Sequence, residues 1–67
     1  MRTVGIRFNH YNREYTYLTN LDLTVGKFYE ISTPDKSYST PIEVMRYDVP
    51  RPQGIVLKEI IEAIPLE

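Results

Sequence analysis

Ile55-Val56-Leu57-Lys58-Glu59-Ile60-Ile61-Glu62-Ala63-Ile64 is the stretch on which the fold turns. Val56, Ile60 and Ala63 lie at i, i+4 and i+7, as do Leu57, Ile61 and Ile64, a spacing that suits an amphipathic helix. Against this, ten residues is short for a helix, and five of them are β-branched, which favours a strand. Pro65 ends the segment in either case. We read 55–64 as a closing strand, with a C-terminal helix over the same residues as the alternative. The first reading makes a small five-stranded barrel; the second makes a four-stranded sheet with a helix.

Moving upstream, Asp48–Gly54 carries Pro50, Pro52 and Gly54, so it reads as an extended loop. Before it, Pro41–Tyr47 places Ile42 and Val44 on one face of a strand. Thr33-Pro34-Asp35-Lys36 has the order of a type I turn, and it follows a strand over 27–32. Residues 2–8 alternate, with Val4, Ile6 and Phe8 on one face and Thr3, Gly5 and Arg7 on the other, the pattern of a half-buried strand. Residues 14–18 alternate again and should pair antiparallel with the first strand, which puts Tyr15 and Tyr17 on one face. The loop Asn9–Arg13 between them is a hairpin. In the connector 19–26, Leu21, Leu23 and Val25 are expected to tuck under the sheet, and Gly26 to supply a positive φ. Short strands with turn signals about every ten residues indicate a single all-β domain over 1–67, a barrel of the SH3 or OB type.

Composition narrows the function. The chain has 67 residues, no cysteine and one histidine, His10. Disulfides and thiolate chemistry are excluded, and one histidine does not anchor a zinc site. No cofactor is expected. No apolar run approaches the ~20 residues of a membrane span, so we expect a cytoplasmic protein with no membrane partner. The net charge is −1, which argues against sequence-independent binding to duplex DNA. His10, on the expected hairpin loop, is the one neutral-pH base. Carboxylates occur singly, and the glycines at 5, 26 and 54 form no phosphate loop. The chain is therefore not expected to be an enzyme. Glu59, Glu62 and Glu67 read as solvated groups that keep an apolar C-terminal face soluble.

Tyrosine is the informative excess, with six at 11, 15, 17, 29, 38 and 47. Tyrosine is stiff and amphipathic and favours binding surfaces. Tyr11 and Tyr38 stand out because they fall in expected loops. Arg7 and Arg13 flank the first hairpin and could make a positive patch near its tip. The candidate binding residues are therefore Arg7, Tyr11, Arg13, Tyr15, Tyr17 and Tyr38.

The order of features is also familiar. Glu14-Tyr15-Thr16-Tyr17-Leu18 is followed by Leu23-Thr24-Val25-Gly26, then Phe28-Tyr29-Glu30-Ile31, a Pro turn, Ile42-Glu43-Val44, and Leu57-Lys58-Glu59-Ile60-Ile61-Glu62. Over 14–64 this resembles the N-terminal 3′-DNA-end-binding domain of the replication-restart helicase PriA. It also resembles the small stand-alone β-barrel proteins of this pattern that phages encode. The resemblance implies a nucleic-acid site at Tyr15, Thr16, Tyr17 and Lys58, and it supports the strand reading of 55–64. In the helicase domain the residue between the two aromatics is acidic and helps bind the terminal nucleotide; here it is Thr16, which carries no charge.

Two functions follow as expectations. The first is a non-catalytic, phage-encoded binding protein that modulates or inhibits a host or replication protein through a tyrosine-rich surface. The second is a barrel that recognises single-stranded or 3′-end DNA in replication by stacking on Tyr15 and Tyr17. Exposed apolar residues, with Ile60 and Ile64 as candidates, could also support a homodimer.

Overall fold

A computed structural model describes residues 1–8 and 11–66. His10, the expected hairpin residue, and Glu67 lie outside the described residues. The chain is all-β: β1 is Arg2–Phe8, β2 Glu14–Thr19, β3 Phe28–Thr33, β4 Lys36–Ser37, β5 Ile42–Tyr47, β6 Glu59–Ile60 and β7 Glu62–Pro65. The sheet runs β4-β3-β5-β1-β2-β6, with β7 on β3. No described residue is helical, so the helix alternative for 55–64 is overturned.

The four long strands form where alternation placed them, because each has an apolar face to bury. Val4 and Ile6 of β1, Tyr29 and Ile31 of β3, Ile42 and Val44 of β5 and Ile60 of β6 meet in one core with Tyr17 and Leu23. Burying each aliphatic side chain of this kind contributes roughly 1.5–3 kcal/mol. β1 is the central strand. It pairs antiparallel with β2 from Arg2↔Thr19 to Arg7↔Glu14. Its other edge carries β5, with a bulge between Gly5 and Ile6.

The closing segment behaves differently from a single strand. β6 pairs parallel with β2 at Leu18↔Glu59 and Thr19↔Ile60. One residue later the chain changes partner. Ile61 N–H donates to the Ser32 carbonyl of β3, 2.9 Å away, and β7 runs antiparallel along β3 from Ser32↔Glu62 to Tyr29↔Pro65. The C-terminal segment therefore ties two edges of the sheet instead of completing one ladder. The result is barrel-like but not closed. Among the described residues there are seven strands instead of five, because the closing segment is split and the two-residue β4 forms beyond the Pro34 turn. Residues 55–58 carry no regular structure.

The connector is clamped by side chains. Leu23 is buried and Leu21 packs on the core, but Val25 is exposed, contrary to the expectation that it tucks under the sheet. The Tyr47 hydroxyl accepts from Leu23 N–H at 2.7 Å and donates to the Leu21 carbonyl at 3.0 Å. The Tyr29 hydroxyl accepts from Thr24 N–H at 2.9 Å. Gly26 takes φ 90°, and its N–H donates to the Val44 carbonyl at 2.8 Å. No helix among the described residues is long and apolar enough to cross a membrane.

Candidate binding surface

Phe8 ends β1 on the same face as Val4 and Ile6, but at the rim, where the core runs out. Two tyrosines meet it there. Tyr15 stands edge-on to Phe8 with ring centroids 5.6 Å apart. Tyr38, just after β4, lies at 5.6 Å on a 50° tilt. Edge and tilted geometries of this kind match the ring quadrupoles and hold the rings in place. Cations cap the group: the Arg13 guanidinium lies 5.3 Å from the Tyr15 centroid and the Lys36 ammonium 5.0 Å from that of Tyr38. Lys58 reaches Asp35 at 3.8 Å across a solvent-exposed pair.

Depth separates the tyrosines. Tyr11 is 69% and Tyr15 37% exposed, whereas Tyr17 is 8% exposed and belongs to the core. Burial pushes the Tyr17 hydroxyl pKa up, and the adjacent Tyr38 hydroxyl pushes it further, so Tyr17 stays protonated throughout the ordinary pH range. Tyr17 is thus a floor beneath the patch and offers no open ring face, which corrects its placing as a surface residue. Tyr29 is also buried, and Tyr47 is occupied by the connector.

Arg7 leaves the expected patch. It points to the outer face of the sheet and donates to Glu43 at 2.7 Å, because the β1–β5 register sets the two side by side. A tip patch of Arg7 with Arg13 therefore does not form. Thr16 alternates with Tyr15 and Tyr17, so its side chain lies on the opposite face of β2 and cannot share a ligand with their rings. Lys58 is brought to the patch by its backbone: its carbonyl accepts from Leu18 N–H at 2.9 Å. Of the apolar pair, Ile60 is fully buried and cannot serve a dimer, while Ile61 and Ile64 are exposed at 50% and 53%.

Phe8 and Lys36 were missed in the sequence. Phe8 had a legible signal, as the last inward position of an alternating strand. Lys36 stands two residues before Tyr38, the spacing that puts both on one face of an extended segment, but in the sequence it reads as the end of the Pro34 turn. A groove of about 310 Å³ opens beside Tyr38 between Ser32, Ser37, Glu62 and Ile64. Among the described residues, no three His, Cys, Asp or Glu side chains converge as metal ligands would.

Comparison of the chain with protein-family models, with curated proteins and with solved structures finds no match.

Proposed function

We propose that this chain is a non-catalytic binding protein that works through the rim patch of Phe8, Tyr15 and Tyr38, bordered by Tyr11, Arg13, Lys36 and Lys58, and that its partner is another protein. One observation carries the reading: rigid, half-exposed aromatics are assembled with basic groups at one end of the sheet. Packed aromatics lose little entropy on binding, and they are the residue types that anchor interfaces. The resemblance to phage-encoded barrels gives the proposal its biological form, a modulator or inhibitor of a host or replication protein in the cytoplasm.

The nucleic-acid reading keeps Tyr15 and Lys58 but loses ground on two counts. Tyr17 is buried, and the accessible rings of Tyr15 and Tyr38 already carry Arg13 and Lys36 over them. A base would have to displace a cation before it could stack.

The test is affinity capture from bacterial lysate with the native chain and with a Tyr15→Ala/Tyr38→Ala variant shown to be folded. A protein retained by the first and lost by the second supports the proposal. Identical capture by both overturns it. Anisotropy with labelled single strands separates the second reading, since stacking at two rings contributes about 2–6 kcal/mol.

A further inference from the structure

The patch borders an unfinished sheet edge. β2 pairs with β1 along its whole length on one side, but with β6 only at Leu18 and Thr19 on the other. Leu18 N–H faces β6, where it donates to the Lys58 carbonyl. In an antiparallel strand, alternate residues turn their N–H and C=O to the same side. Glu14 and Thr16 therefore turn theirs to the open edge, with no backbone partner among the described residues. Unpaired edges of this kind recruit extended chains, and proteins usually blunt or cover them.

The charges around this edge select what it takes. Arg13 stands at its start, Lys58 lies just past its end, and Lys36 lies over the neighbouring Tyr38. Glu14 is already held by Arg46 on the outer face and Asp35 is paired with Lys58; Glu59 sits opposite Leu18, past the open stretch, and Glu62 lines the groove beside Tyr38. A second copy of this chain would set Arg13, Lys36 and Lys58 against themselves. An acidic segment would be complementary at Arg13 and Lys36 and would compete with Asp35 for Lys58.

We infer that the partner binds by strand addition: an extended acidic segment pairs with the Glu14–Tyr17 edge of β2, laying alternate side chains against Tyr15 and Tyr38. This rests on the proposed protein-binding role and names its chemistry. Specificity then comes from two sources, backbone pairing at Thr16 and charge at Arg13, Lys36 and Lys58.

The experiment uses the intact chain, amide hydrogen exchange by NMR, and the peptide acetyl-Glu-Val-Glu-Val-Glu-Val-amide. Thr16 N–H is expected to exchange freely in the unbound protein and to slow by about tenfold or more when the peptide is bound. The lysine counterpart is expected to bind about tenfold more weakly or worse, because like charges meet at the edge. N-methylation at alternate residues in one phase should abolish binding, and in the other phase leave it. An Arg13→Glu variant, folded by its spectrum, should weaken binding without changing Thr16 exchange in the free state.

Each of the following results overturns the inference. The peptide fails to bind at about 1 mM, a very weak affinity, or it binds without protecting Thr16. Thr16 is already protected in the free monomer, which would mean that residues 55–58 cover the edge, or is protected through a dimer seen by sedimentation. Oligothymidylate binds the patch while the peptide does not. Peptide binding that is lost in the Tyr15→Ala/Tyr38→Ala variant but leaves Thr16 unprotected overturns strand addition alone and leaves the patch reading standing.

Discussion

Glu14 and Arg46 meet across Gly5, the carboxylate accepting from Nε and Nη2 of the guanidinium at 3.0 Å each. Gly5 is the strand neighbour of Arg46 in β5, and a Cβ there would collide with the Glu14 carboxylate. The glycine is thus a trough that lets a bidentate pair cross β1, and Glu14 in turn raises the Arg46 pKa.

Gly5→Ala is expected to swing Glu14 aside and break the pair, offsetting the gain of about 0.5–1 kcal/mol that alanine has over glycine in a strand. In a Glu14→Ala background the three atoms nearest to that Cβ are gone, so the same substitution should stabilise the chain by about 0.5–1 kcal/mol. Urea denaturation of the four variants in this cycle checks the difference.

Acid should weaken the fold through two carboxylates. The hydrogen bond from Arg2 holds the Asp48 pKa below its ordinary value. The Thr33 hydroxyl, then the Asp35 backbone amide and the Lys58 charge, do the same for Asp35. The folded state then binds these protons more weakly than the unfolded chain. Their contribution is full above the ordinary carboxylate value of about 4, and it is lost as pH falls through the lowered folded values. Thermal melts from about pH 6 to about pH 2 should show Tm falling at the acid end, with a shallower slope in Asp48→Asn and Asp35→Asn. Asparagine is the informative choice at 48, because this residue sits at φ 57°, where asparagine is tolerated and β-branched residues are not.

The six tyrosines should divide by substitution to phenylalanine. Tyr47→Phe leaves the Leu23 N–H and the Leu21 carbonyl without the partner they share, at a cost of about 1–3 kcal/mol. Tyr11→Phe, at an exposed position, should stay within about 0.5 kcal/mol. Chemical denaturation of both variants reads the contrast.

Ile60 and Ile61 are chemically identical neighbours on opposite sides of the partner switch. Ile60 is fully buried and Ile61 half exposed. Ile60→Ala should cost about 2–5 kcal/mol, enough to unfold much of a domain this small, whereas Ile61→Ala should change stability by about 0.5 kcal/mol or less. Circular dichroism melts distinguish them.

Alternation in 2–8, 14–18, 27–32 and 41–47 was enough to place the four long strands, because a half-buried strand must send every second side chain inward. The Pro34 turn and the positive φ at Gly26 were legible for a similarly local reason: proline and glycine restrict or free their own backbone. What periodicity leaves undetermined is depth. Tyr15 and Tyr17 share a face, yet one lies at the rim and the other in the core, since depth depends on how far each strand extends past its neighbours. Nor does local sequence show that 55–64 divides between two edges, because the hydrogen bonds that split it go to Leu18 and Ser32, far away in the chain. The sequence alone thus determined a small β-rich domain without cysteine chemistry. The tertiary structure decided which tyrosines meet Phe8, that Arg7 is spent on Glu43, and that β2 keeps an open edge, because each of these depends on which strands become neighbours.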